Sequence, residues 1–121
     1  MKRVLIVEDN PMNMVLISEV MADMEFDVDQ AATGEEGLRI ALESPPDLIL
    51  LDLRLPGISG IEAVRRLKSN PATAAVPTIA LTAQAMVGDR EEALEAGFDA
   101  YHSKPIQIRK LRELISTMLG I

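Results

Sequence analysis

The sequence predicts an α/β fold in which a parallel sheet is covered by helices on both faces. Two observations predict it. Short apolar runs alternate along the chain with longer segments of helical spacing, in the coarse order βαβαβαβαβα. The run Asp47–Leu51 is apolar after its first residue, as a parallel strand buried on both faces must be.

Each element has its own signal. Val4–Val7 is the first strand, and Asn10-Pro11 then supplies an N-cap followed by proline at the first helical position. Within Asn13–Met24, residues Leu16, Ile17, Val20 and Met24 fall on one helical face. Phe26–Ala32 is a weaker second strand. Thr33 with Glu36 forms a capping-box pattern, and Ser59 with Glu62 repeats it after the third strand. Thr78–Leu81 is the fourth strand, and Gly97 after Ala96 ends the helix that follows. Ala100–Ser103 is a short fifth strand, and Ile108, Leu111, Ile115 and Met118 share a face of the last helix. Crossovers between parallel strands are right-handed. The flavodoxin-like doubly wound (βα)5 arrangement, strand order 2-1-3-4-5, suits a single domain of 121 residues.

Composition narrows the function. With no Trp, one Tyr and two Phe, the core must be aliphatic, and the seven Met residues read mostly as core filler. A formal net charge of −7 argues against nucleic-acid binding. The lack of cysteine removes disulfides, thiolate metal sites and cysteine nucleophiles. The opening MKRVLIVEDN is too soon interrupted by acids to be a signal peptide, and no stretch approaches the roughly 20 apolar residues of a membrane span. The chain reads as soluble and cytoplasmic.

In doubly wound sheets the site lies beyond the carboxyl ends of the strands, where the strand order reverses. Those ends carry Glu8 and Asp9, Asp52, Thr82 and Lys104, the last followed by Pro105. Three carboxylates cannot lie close together, all ionised, without a counter-ion. Hard oxygen ligands without His or Cys suit Mg²⁺. A metal beside a spare carboxylate points to phosphoryl transfer through an aspartyl-phosphate, with the metal, a lysine and a hydroxyl sharing the phosphoryl oxygens.

The stretches VLIVEDN, PDLILLDLRLPGISGIE, IALTA and YHSKPI, in that order and each at a strand end, resemble the receiver domains of response regulators, the CheY-like family. The resemblance covers essentially the whole chain. It is greatest to stand-alone DivK-type regulators and to receivers of hybrid sensor histidine kinases. It implies that Asp52 is the phosphoacceptor and that Asp9, Asp52 and the backbone carbonyl of Arg54 bind Mg²⁺, with Glu8 acting through water. Thr82 is implied as the switch hydroxyl and Tyr101 as the switch aromatic. Lys104 is implied to pair with phosphate, its bond to Pro105 being cis. Arg54 and Gln84 would flank the attacking water and tune the lifetime of the acyl phosphate. His102, the sole histidine, reads as a bystander.

The implied role is a phosphoacceptor switch in two-component or phosphorelay signalling, a signalling domain rather than an enzyme. Its donor would be a histidine kinase or histidine phosphotransfer protein, and its output a downstream protein target. Met12, Met14 and Val15, outside or beside the apolar stripe of the first helix, form a candidate docking patch beside the site. The helix 4–strand 5–helix 5 face, including Tyr101 with Met86 and Val87 nearby, is a second candidate, for output or dimerisation, and the chain is expected to be a monomer or weak dimer. With no output domain expected within residues 1–121, and with a start at Met1, a stand-alone regulator is the first reading. The alternatives are a receiver excised from a hybrid kinase and a phosphate-independent scaffold. A haloacid-dehalogenase-type phosphatase would need a second acid where Arg54 stands in DLRLP. An FMN site would need a phosphate-friendly loop where EDNPMN presents acids.

Overall fold

The computed structural model describes residues 1–83 and 88–121. The elements run β1 (Arg3–Val7), α1 (Pro11–Asp23), β2 (Asp27–Ala31), α2 (Gly34–Glu43), β3 (Leu48–Asp52), α3 (Gly60–Ser69), β4 (Thr78–Thr82), α4 (Asp89–Ala96), β5 (Ala100–Ser103) and α5 (Ile108–Leu119). The strands form one parallel sheet in the order β2-β1-β3-β4-β5, as the alternation predicts. The order reverses between β1 and β3, and that seam is where the carboxyl ends of the two strands diverge.

The strand sequences explain the layering. Every residue of LILLD and TIALT is buried. Alternate residues serve opposite faces. Leu5, Val7, Ile49, Leu51 and Ala80 pack with side chains of α2, α3 and α4. Val4, Ile6, Leu48, Leu50, Ile79 and Leu81 pack with α1 and α5. Burial of each such aliphatic side chain contributes about 1.5–3 kcal/mol, so the inner strands β1, β3 and β4 give the rim a firm platform. The edge strand β2, DVDQA, is polar at most positions, which discourages pairing with another chain.

Capping decides where each helix starts. The Asn10 side chain accepts hydrogen bonds from the backbone N–H groups of Met12 and Asn13, and Pro11 stands at the first helical position. Chain direction therefore changes immediately after Asp9. Thr33 and Ser59 cap α2 and α3 by accepting from Glu36 N–H and Glu62 N–H. Gly60 opens α3 in close contact with β3, and a Cβ placed there would lie 2.3 Å from the carbonyl oxygen of Asp52.

Two apolar faces differ from the sequence expectation. In α1 the buried residues are Met14, Ile17, Val20 and Met21, while Leu16 and Met24 are only half-buried. The helix is turned so that Met14, one turn before Ile17, joins the core. In α5 Leu111 and Ile115 are buried, but Ile108, at the first helical position, is exposed. The helix meets the sheet only from Leu111 onward.

Candidate functional site

Parallel register brings the chemistry to one rim. Val7 pairs with Leu51, Asp52 with Leu81 and Thr82 with Ser103, so neighbouring strands end nearly level. Glu8 and Asp9 follow β1, Asp52 ends β3, Thr82 ends β4 and Lys104 follows β5. Glu8, Asp9, Asp52, Arg54 and Lys104 line one cleft of about 440 Å³, together with Asn10, Pro11, Asn13 and Ala83. A larger open groove of about 670 Å³ runs along α5 past Ile108, Arg109 and Arg112, but among the described residues no acidic cluster converges on it.

Lys104 is the hub. Its Nζ lies 2.5 Å from Glu8 Oε1 and 2.8 Å from Asp52 Oδ2. The other Asp52 oxygen accepts from the Arg54 backbone N–H at 3.0 Å. Glu8 Oε2 accepts from the Asn10 N–H at 3.2 Å. The Lys104 backbone N–H donates to Thr82 O at 2.6 Å, and its peptide bond to Pro105 is cis. Glu8 and Asp52 are buried, whereas Asp9 is exposed. One oxygen from each of the three acids lies within 4.8 Å of the others.

The electrostatics follow from that crowding. Burial raises the Glu8 pKa above the ordinary carboxylate value; Lys104 opposes this and Asp52 adds to it. Burial also works against the Lys104 ammonium, but its bonds to Asp52 and Glu8 and their charges outweigh it and hold the pKa above the ordinary lysine value. One ammonium cannot neutralise three carboxylates, so the cleft favours a further cation.

The chain matches the response regulator receiver domain family over residues 4–116. It belongs to that family. Receivers are the phosphoacceptor switches of two-component signalling. This receiver is 41% identical to the polar-differentiation response regulator DivK of Brucella ovis, over 98% of this chain and 97% of that one. It is similar to the receiver domain of the sensor histidine kinase PA1611 of Pseudomonas aeruginosa, solved with a magnesium ion coordinated in its active-site cleft. That match has 36% identity and TM-score 0.91 and covers 99% of this chain and 98% of that one. A third relative is the receiver of Saccharomyces cerevisiae Ssk1, solved with the histidine phosphotransfer protein Ypd1. It has 31% identity and TM-score 0.85 and covers 95% of this chain and 86% of that one.

The receiver's remaining candidate residues fall in three places. Thr82 is buried at the end of β4. Tyr101, on β5, packs against the α2–α4 side of the core with its hydroxyl buried, and Thr82 acts on it as a hydrogen-bonding neighbour. Burial, then the charge of Asp89, raises the Tyr101 pKa. Gln84, Met86 and Val87 lie outside the described residues. On α1, Met12 and Val15 are 82% and 57% exposed, but Met14 is 9% exposed and packs in the core, so the candidate docking patch narrows to Met12 and Val15.

One residue of interest escaped the sequence. His102 is buried, and its Nε2 accepts a hydrogen bond from the Gln107 N–H at 3.2 Å. A polar residue inside a short, otherwise half-buried strand was the available signal.

Proposed function

We propose that Asp52 of this receiver accepts a phosphoryl group from a phosphohistidine donor and that the phosphorylated form changes how a partner protein binds. The carrying observation is the Lys104 ammonium set between Glu8 and Asp52 at the rim, with Asp9 beside them. Asp52 Oδ would attack phosphorus as the bond from phosphorus to the donor imidazole breaks; the imidazole leaves with the electron pair and takes a proton. Lys104, already beside Asp52, would meet the incoming phosphoryl oxygens, and Thr82 would offer its hydroxyl to another.

The donor set fits Mg²⁺: close carboxylate oxygens, with no nitrogen or sulfur ligand. Asp9, Asp52 and the Arg54 carbonyl would hold it, with Glu8 acting through water. When bound, the ion supplies charge neutralisation for the phosphoryl oxygens. The Mg²⁺ site of the Pseudomonas relative supports this reading.

The complex of the yeast relative with its phosphotransfer protein supports a histidine kinase or phosphotransfer protein as donor; the exposed Met12 and Val15 beside the acid pair are where it would dock. Residues 1–121 act as one receiver unit, a monomer or weak dimer that signals to a downstream protein. The receiver promotes only its own phosphorylation and dephosphorylation, with Arg54 flanking the attacking water. Net charge of −7 disfavours nucleic acid, and among the described residues no helix is long and apolar enough to cross a membrane. A cytoplasmic location accords with both. Movement of Thr82 toward the phosphate, followed by Tyr101, would carry the signal to the β5 edge.

The test is intact mass after incubation with a small phosphodonor, with and without Mg²⁺, on wild type and Asp52→Ala. One added phosphoryl group that needs both Mg²⁺ and Asp52 is expected. Addition to Asp52→Ala would overturn the assignment; no addition in any condition would point to a site that accepts only from a protein donor or to a phosphate-independent scaffold, which phosphotransfer from a histidine phosphotransfer protein would separate.

A further inference from the structure

His102 sits on β5 two residues before Lys104, and is only 6% exposed. One polar atom of the buried ring is engaged: Nε2 accepts from the backbone N–H of Gln107 at 3.2 Å. That assigns the tautomer, because an accepting Nε2 leaves the proton on Nδ1. Gln107 is the N-cap residue of α5. In a capping box the N–H of that residue is taken by an acidic or amide side chain three positions on. Here that position is Lys110, which can only donate, and the Gln107 side chain makes no capping bond. The imidazole supplies the missing acceptor from the preceding strand.

The bond closes a short ring from residue 102 to residue 107, and Lys104 lies inside it. The backbone of Lys104 has a tether of its own, its N–H to Thr82 O. The first tether fixes the strand side of the loop and the imidazole fixes the helix side. Between them the ammonium is held on two buried acids at 2.5 and 2.8 Å.

We propose that His102 is a positioning residue for Lys104, clasping the start of α5 to β5 so that the ammonium is preorganised for the phosphoryl group. The inference rests on the role given to Lys104 above, and it makes His102 a part of the phosphorylation machinery rather than a bystander. It acts through Lys104 and touches no reacting atom.

The rate of phosphorylation by acetyl phosphate with Mg²⁺, followed by intact mass, tests this in H102L, H102Q, K104A and K104A/H102L. Leucine fills the space but leaves the Gln107 N–H without an acceptor, so H102L is expected to be slower by about tenfold. Glutamine places an amide oxygen near the Nε2 position, so H102Q is expected to recover most of the rate. In the K104A background H102L is expected to add no further loss, because its effect passes through the missing ammonium. Wild-type speed in H102L, or the same fold loss in both backgrounds, overturns the proposal. Wild-type speed in K104A overturns the role of Lys104 itself, and the proposal with it. If circular dichroism shows H102L unfolded, H102Q against H102N carries the test. The asparagine oxygen is one bond too short for the clasp, so equal rates in those two overturn the proposal.

Discussion

Lys104 Nζ and Asp52 Oδ2 lie 2.8 Å apart, and the same ammonium lies 2.5 Å from Glu8 Oε1. One cation thus compensates two buried acids. Removing it is expected to cost more than the loss of a surface pair, because breaking a buried pair leaves uncompensated charge. Lys104→Met should lower stability at neutral pH by about 3 kcal/mol in urea unfolding. The loss should shrink on acidification as Glu8, already raised in pKa by burial, takes up a proton and no longer needs the partner. A loss unchanged with pH would show that Glu8 does not carry the effect.

Mg²⁺ should raise the melting temperature in a concentration-dependent way. An ion that binds only the folded chain stabilises it by about 2.7 kcal/mol at a hundredfold excess over its dissociation constant. Asp9 is the exposed member of the acid cluster and has no ion pair among the described residues. Asp9→Asn should therefore leave the melting temperature without Mg²⁺ close to wild type while abolishing the shift on adding it. Retention of the full shift would remove Asp9 from the ligand set.

The sheet and its rim were legible because they depend on local pattern. VLIV, LILL and TIAL admit little but buried strands, and parallel register then lines up their carboxyl ends, which is why Glu8, Asp52 and Lys104 meet at one rim with Thr82 at the end of the neighbouring strand. Rotation of a helix about its axis is a weaker signal. Asn13–Met24 is apolar on nearly every side, so several stripes fit equally well, and only packing decides that Met14 turns inward while Leu16 does not. The clasp between His102 and Gln107 was illegible for another reason. It joins a side chain to a backbone N–H across a loop, and a backbone donor has no signature in the residue type.

Gly60 should tolerate no side chain. A Cβ there would stand 2.3 Å from Asp52 O and 2.7 Å from Leu53 Cα, both backbone atoms that cannot swing aside. The Gly60 N–H also donates to Leu53 O, tying α3 to the end of β3. Gly60→Ala is thus expected to destabilise by about 2 kcal/mol despite the better helix propensity of alanine. Because the displaced backbone carries Asp52, phosphorylation should slow as well. A stabilised Gly60→Ala protein would show that α3 can slide away without cost.

Met12 and Val15 expose apolar surface on α1 directly after the acid pair. Charging both, as Met12→Glu with Val15→Glu, should slow phosphoryl transfer from a phosphotransfer protein about tenfold or more, as expected for loss of an interface anchor. Transfer from acetyl phosphate should be unchanged, since neither residue touches Asp52 or Lys104 in the contacts described. Equal slowing of both donors would mean that the substitutions disturb the site rather than the docking.

His102 should make stability fall on mild acidification. Burial first, and then the charge of Lys110, hold its pKa below the ordinary value of 6.5. Below that value the unfolded chain binds a proton on this ring that the folded chain still refuses, so protonation favours unfolding. The contribution of His102 to stability is therefore fully present above about pH 6.5 and is lost as pH falls through the lower pKa of the folded state. Protonation also turns Nε2 from acceptor to donor and sets it against the Gln107 N–H, so the clasp opens over the same range. Glu8 works in the opposite sense, because a raised carboxyl pKa favours the folded state on acidification. The comparison that isolates the ring is wild type against H102Q, in which glutamine keeps an acceptor but cannot titrate. The stability difference between the two should move in favour of H102Q as pH drops from about 7 toward 5. A difference that stays flat across that interval would mean that the buried imidazole is protonated no less readily in the folded chain than in the unfolded one.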